Sequence, residues 1–237
     1  MRLLGMERPA VSTSAPLSTL EMYERWAPTY PPVPHNPLMR AEQRVMLDLL
    51  PDVRERRVLD LACGSGRYAR LLTERAAADV VALDFSAAML RQVSAGHPVR
   101  ASMMRLPFAA GVFDFVISGL AIGHATDIDH WMHEVARVLK GGGSLLYSDF
   151  HPDAIRSGLT RTFKDDAARA YTLHPNEYTV DIQLQAAAQA GFTVEAVREV
   201  RAGIELSETF TGSEDFYHRW HGLPLVLVIR ARARSAP

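Results

Sequence analysis

The stretch Arg57-Val58-Leu59-Asp60-Leu61-Ala62-Cys63-Gly64-Ser65-Gly66-Arg67-Tyr68 decides the fold. It reads as a short apolar strand ending in an acid, then a glycine turn, then a helix start. Gly64 and Gly66 lack a Cβ, so the chain can reverse tightly and let a ligand approach its backbone. The helix opening near Gly66 points its free N–H groups at the same spot. Eighteen residues past Gly66, a second strand, Asp79-Val80-Val81-Ala82-Leu83, ends at Asp84. A carboxylate there lies beside the first loop and can accept two hydrogen bonds from a ribose diol. A nucleoside-bearing cofactor is expected between the two loops.

Two cofactors compete for this pattern. Gly64-Ser65-Gly66-Arg67-Tyr68-Ala69 satisfies the loose dinucleotide fingerprint G-x-G-x-x-G/A, and a dinucleotide brings a pyrophosphate. S-adenosylmethionine brings no phosphate; its charged centre is a sulfonium cation. Asp60, at the end of the first strand, suits that cation and the amino group of its methionine tail better than it suits a pyrophosphate.

Four segments, in order, carry a family resemblance. They are Val58 to Gly66; Val81-Ala82-Leu83-Asp84-Phe85-Ser86-Ala87-Ala88-Met89-Leu90; Leu106-Pro107-Phe108 with Phe113-Asp114-Phe115-Val116; and Glu134-Val135-Ala136-Arg137-Val138-Leu139-Lys140-Gly141-Gly142-Gly143. Together they resemble the class I S-adenosylmethionine-dependent methyltransferases, in particular the small-molecule group similar to the ubiquinone and malonyl-carrier enzymes. The resemblance implies that Asp60 and the backbone from Ala62 through Gly64 to Gly66 surround the methionine part, and that Asp84 holds both ribose hydroxyls. It places Phe85 against the adenine face with Met89 nearby; both are also ordinary core candidates. Ser102 stands where the family usually has an acid reaching the adenine amine, so Met103 would bring a backbone N–H instead. Gly119 and Leu120 would approach the amino group of the methionine tail. Tyr30 matches an N-terminal tyrosine that touches the cofactor in the family, and Arg40 is a candidate partner for the cofactor carboxylate.

Composition narrows the alternatives. The chain has 237 residues, a formal net charge of -1 and 48% hydrophobic residues, enough for one α/β domain with an elaboration. A nucleic-acid footprint would need a basic stripe, and none is present. Cys63 is the single cysteine, which excludes an internal disulfide and a cysteine zinc cluster. No apolar run is long enough to span a bilayer, so a cytoplasmic protein, monomeric or homodimeric, is expected.

Strands near 57–61, 79–84, 98–102, 112–118 and 144–150 alternate with helices at 66–77, 86–95 and 127–139, predicting a Rossmann-like, doubly wound, mostly parallel sheet. A helix at 178–190, a strand from Gly191 to about Arg201 and the apolar run Leu223 to Ile229 predict a C-terminal antiparallel strand pair. Ser18 is a candidate N-cap for a helix carrying Leu20, Tyr23 and Trp26. Five prolines between Pro28 and Pro37 stiffen the following connection. Residues 1–50 are expected to form a helical lid on a domain covering 51–237, joined in that role by a hairpin insertion at about 157–175.

Methyl transfer needs a placed nucleophile, and a general base where that nucleophile is a hydroxyl or a protonated amine. His124, after the fourth strand, and His151, after the fifth, are the candidate bases, each with packing or capping as its ordinary alternative. His130 and His133 have helical metal spacing but no third ligand, so no metal is expected. The acceptor is expected to be a small molecule, methylated at oxygen or nitrogen, in secondary metabolism. A carrier-tethered acyl group, with Arg156, Arg161 and Arg169 at the mouth, an NAD(P)-dependent reductase and a non-catalytic S-adenosylmethionine-binding protein are the alternatives. Tyr217, His218 and Trp220 form a candidate substrate-lining cluster.

Overall fold

The computed structural model describes residues 17–203, 206 and 219–235. Its main sheet is built from β1 (Arg57–Leu61), β2 (Asp79–Asp84), β3 (His97–Arg100), β4 (Phe113–Gly119), β5 (Leu139–Phe150), β8 (Phe192–Arg201) and β9 (Pro224–Ala233). The strand order is β3-β2-β1-β4-β5-β9-β8. The first five strands are mutually parallel. β9 pairs antiparallel with both β5 and β8, so the terminal pair is antiparallel and β9 alone runs against the rest.

The strands are apolar on both sides because both faces are covered. Val58, Ala82, Phe115, Ile117 and Leu146 pack into one core. Their alternating neighbours Leu59, Leu61, Val81, Leu83 and Val116 pack into the other. Helices α2 (Pro37–Asp48) and α3 (Arg67–Glu74) cover the first face; α5 (Ile128–Val138) and α7 (Val180–Gln189) cover the second. Strand order reverses between β1 and β4, and ligands of open α/β sheets bind in the crevice beyond the strand C-termini at such a point.

Two boundaries differ from the sequence reading. The helix expected at 86–95 is only Ala87–Leu90, α4. Gly96, at φ +82°, turns the chain into β3, and Val93 is pressed onto Gly66. β5 begins early, at Leu139, and reaches its regular register on β4 only after an irregularity beside the Gly141–Gly143 run.

A second, smaller layer sits over the strand ends. α1 (Thr19–Trp26) opens on a capping box in which Ser18 and Glu21 exchange hydrogen bonds. The hairpin β6 (Arg161–Lys164) and β7 (Ala170–Leu173) pairs antiparallel. Trp26 stacks on Phe163 with ring centroids 4.8 Å apart, and Phe163 stacks on Tyr171 at 5.1 Å. Thr29 Oγ1 donates to Lys164 O at 3.0 Å, and Gln92 Nε2 donates to Ala27 O. α2, by contrast, lies on the sheet itself, packed on β5, β8 and β9.

Candidate active site

A cavity of about 380 Å³ opens beyond the ends of β1, β2 and β4 and is roofed by α1 and the hairpin. Its floor is built by the first two loops. Ala62, Gly64 and Gly66 all take positive φ (56°, 54° and 82°), which turns the chain from β1 into α3. Gly66 is the N-cap of α3 and offers no side chain. Asp60 supplies the missing acceptor: its Oδ2 takes the Ala69 N–H at 2.7 Å. The residue is 1% exposed, and burial pushes its carboxyl up to about 7, against the opposing pull of the Ala69 N–H and Arg67.

Asp84 ties the second loop to the first. Its Oδ2 accepts from Gly64 N–H and its Oδ1 from Ser86 N–H, each at 2.9 Å. The helix cap proper is Ser86, whose Oγ accepts from Met89 N–H. Burial raises the Asp84 carboxyl, with the backbone donors opposing. Each carboxylate oxygen offers about two lone-pair sites, so Asp84 retains acceptor capacity toward the cavity.

A buried polar hub lies behind this floor. Glu42 of α2, fully buried, accepts from Arg67 Nη1 at 2.8 Å, Tyr68 Oη at 2.8 Å and Ser148 Oγ at 2.6 Å. Ser148 Oγ in turn accepts from Leu120 N–H at 3.0 Å, which holds Leu120 at φ 56°. Tyr68 is pressed so closely onto Gly119 that a Cβ there would collide with its ring. The glycine is required by that approach.

At the far end the cavity wall is His124, Tyr23 and Arg161. Arg161 Nη1 donates to Tyr23 Oη at 2.6 Å and Nη2 to Leu120 O at 2.8 Å. Tyr23 Oη lies 2.9 Å from His124 Nε2. Arginine only donates, so the phenolic proton of Tyr23 is free to go to Nε2, and His124 then accepts there as a neutral imidazole. Burial, with Arg161 beside it, holds His124 down to about 3. Burial pushes Tyr23 up to about 12.

The structure brings most of the expected residues to this one cavity: Tyr30, Asp60, Ala62, Gly64, Asp84, Phe85, Ser102, Met103, Gly119, Leu120 and His124 all line it. Gly66 acts one step back, as the helix cap. Met89 is off the wall; it is buried with Trp26, Ala88 and Phe163 where α1 meets the hairpin. Arg40 is exposed on α2 and also off the wall. His151 is buried elsewhere: its Nδ1 caps α6 (Pro152–Arg156) by accepting from Asp153 N–H, and its Nε2 faces Glu199 at 3.6 Å. Trp220 lines a second cavity, while Tyr217 and His218 lie outside the described residues. Tyr23, Arg67, Tyr68 and Glu42 were missed as site residues. Helical periodicity marks Tyr23 only as apolar, and nothing local pairs Glu42 with residues 25 or more positions away.

Residues 59–147 match a family profile described as a methyltransferase domain. The matched stretch, somewhat over a third of the chain, resembles a methyltransferase domain. S-adenosylmethionine is the cofactor of that family. Among curated proteins, this chain is 35% identical over 137 residues to a malonyl-acyl-carrier-protein O-methyltransferase of Enterobacter lignolyticus, covering 56% of the chain and 53% of the relative. It is 38% identical over 119 residues to a demethylmenaquinone methyltransferase of Thermus thermophilus, covering 46% and 54%. The chain thus spans about half the length of the curated relatives it matches. A solved S-adenosylmethionine-dependent methyltransferase from Mesorhizobium loti superposes with a TM-score of 0.65 at 24% identity, over 81% of this chain and 97% of that one. The cyclase SpnF superposes at 0.67 and 16% identity, over 92% and 96%. These two likenesses establish the fold alone.

The floor fits the adenosyl cation and disfavours a dinucleotide. A pyrophosphate would sit at the N-terminus of α3, where Asp60 already takes the Ala69 N–H. Arg67, the nearby cation, is neutralised by Glu42. Ser65 Oγ is buried on the same wall without a hydrogen-bond partner, a group ready for a polar ligand. Among the described residues no cluster of three metal-ligating side chains occurs, and no helix is long and apolar enough to cross a membrane.

Proposed function

We propose that the chain transfers a methyl group from S-adenosylmethionine to an oxygen or nitrogen of a small-molecule acceptor. The observation that carries this reading is a single cavity with the two acids at one end and the His124–Tyr23–Arg161 wall at the other. The bound cofactor supplies an electrophilic methyl on a positively charged sulfur. Asp84 accepts from the ribose diol, and the ionised Asp60 balances the positive charge. The Tyr68 ring packed on Gly119 closes the floor beneath them.

The proton inventory of the wall bears on the acceptor. His124 is neutral with its Nε2 lone pair turned to Tyr23, and Tyr23 holds its proton tightly. Neither is a strong base at neutral pH, so the pair orients a nucleophile that gives up its proton readily or already carries a lone pair. α1 and the hairpin form the lid that excludes water.

The carrier-tethered alternative draws on the names of the relatives. It has less support from the three arginines expected at the mouth: Arg161 is turned inward onto Leu120 O, and Arg156 is paired with Asp153 and Glu177. The reading is tested by calorimetry with S-adenosylhomocysteine, followed by transfer of labelled methyl to a panel of phenols, carboxylic acids and amines. Asp84→Ala is expected to weaken the cofactor product by about 1–3 kcal/mol. No binding at millimolar S-adenosylhomocysteine overturns the proposal.

A further inference from the structure

A second cavity, of about 330 Å³, adjoins the first. Tyr30, Met39, Leu120 and Arg161 line both. The rest of its wall sets Trp26, Leu38, Phe150, Leu159 and Trp220 beside the polar His35, Asn36, Thr160 and Thr162. Ring faces and aliphatic side chains of this kind receive a hydrophobic or ring-bearing body.

The charge on the shared wall is unbalanced. Among the described residues, Arg161 has no carboxylate within ion-pair distance, although fifteen other pairs form. Its two recorded acceptors are a hydroxyl and a backbone carbonyl, both neutral. The guanidinium lies over the Phe150 ring, 5.1 Å from its centroid, so its surroundings are poor in water. A guanidinium carries five N–H donors, and two bonds leave an edge unspent. The arginine at the floor, Arg67, is by contrast answered by Glu42. Arg161 is half-buried, and the carboxylate that acts on it, Asp149, lies beyond ion-pair distance and already accepts from the Gly123 and Phe150 N–H groups, so a ligand's anionic group would meet a cation whose direct partners are neutral.

We infer that the second cavity is the acceptor's site, and that it takes a compound with a ring-bearing apolar body and one anionic oxygen group, which pairs with Arg161. The inference rests on the methyltransferase reading. Arg161 joins the two chambers, so the anionic group is held next to the His124–Tyr23 wall while the body lies against Trp26 and Phe150.

The test uses the full chain and a matched pair of probes, indole-3-acetate and indole-3-acetamide, titrated calorimetrically with and without saturating S-adenosylhomocysteine. The acid is expected to bind at least about tenfold more tightly than the amide. Arg161→Gln should abolish that preference, and Arg161→Lys should keep part of it. S-adenosylhomocysteine affinity, measured first on each variant, should stay within about threefold of the parent and also reports that the variant is folded. Equal binding of acid and amide, or binding of neither, overturns the inference. A large loss of S-adenosylhomocysteine in Arg161→Gln, with Arg161→Lys normal, also overturns it, by assigning the arginine to the cofactor's carboxylate. Failure of the parent chain to bind S-adenosylhomocysteine refutes the methyltransferase reading instead, and the acid-over-amide preference without it still reads Arg161.

Discussion

At the floor of the cavity, buried carboxylates hold backbone N–H groups: Asp60 on Ala69, nine residues away, and Asp84 on Gly64, twenty away. At the roof, rings and single hydrogen bonds join segments far apart in the chain. Thr29 reaches Lys164, 135 positions on, and Arg25 reaches Tyr171, 146 positions on. The floor is a fixed, charged frame whose cost of burial is met by short-range hydrogen bonds. The roof is a clasp of stacked rings and scattered single hydrogen bonds, some of them exposed, the kind of contact that opens and closes at low free-energy cost. Electrostatic changes should therefore act through the floor, and changes in the clasp should act through rates of entry and release.

The largest expected effect is at Asp60. Its carboxyl rises from the ordinary 3.8 to about 7 on folding. A raised carboxyl contributes stability that is complete below the unfolded value and is lost as pH rises through the folded one. Above pH 7 the chain without cofactor therefore holds an unfavourable buried carboxylate. Asp60→Asn keeps an oxygen for Ala69 N–H and removes that charge. It should stabilise the fold at pH 8 by an amount on the order of 2–4 kcal/mol, read as a higher melting temperature, and the gain should fade toward pH 4. The same variant should lose S-adenosylmethionine by more than about tenfold, with a smaller loss for the uncharged sulfur of S-adenosylhomocysteine. A variant less stable than the parent at pH 8 would break the picture of a strained floor.

A middle-sized effect is expected where floor and roof meet. Tyr23 comes from α1 and His124 from the loop after β4. His124→Ala and Tyr23→Phe should each lower turnover by about tenfold to a hundredfold through loss of positioning. S-adenosylhomocysteine affinity should barely move, because neither side chain touches Asp60 or Asp84. The pH–rate profile of the parent should show no inflection from His124 near the usual histidine value, since its ring is held at about 3. Parallel losses of turnover and product affinity would place the pair in the cofactor's half of the cavity.

This contrast also explains what the sequence could reveal. The floor was legible because each of its parts is local: an acid at a strand end, two glycines, and a second acid at the next strand end. Parallel strands buried on both faces read as apolar runs, which exposed the sheet. The lid hairpin was visible as two short runs, but Arg161 was indistinguishable from the other arginines. Its partners Tyr23 and Leu120 are 138 and 41 residues away. His151 looked like a site residue from its place at the end of β5. The strand delivers it to a helix cap and to Glu199 instead, because β9 and β8 flank β5 on that side. Met89 lies off the cavity wall for a similar reason: α4 turns it toward Trp26 and Phe163, a contact that helical spacing alone does not specify.

The smallest expected effect, and the most direct test of the clasp, is Thr29→Val. Thr29 Oγ1 shares its one proton between Lys164 O at 3.0 Å and Trp26 O at 3.2 Å. Valine has nearly the same shape and removes both bonds, leaving the Trp26–Phe163–Tyr171 stack in place. The tie to Lys164 is exposed, so water replaces it on opening, and its loss should cost about 0.5–1.5 kcal/mol of the closed state. That corresponds to roughly twofold to tenfold faster release of S-adenosylhomocysteine in stopped flow. The melting temperature should hold, because both sheet cores are untouched. A drop in thermal stability with unchanged release would mean that the roof is part of the folded frame rather than a clasp upon it. The division between a charged, rigid floor and a ring-stacked, opening roof would then have to be drawn elsewhere.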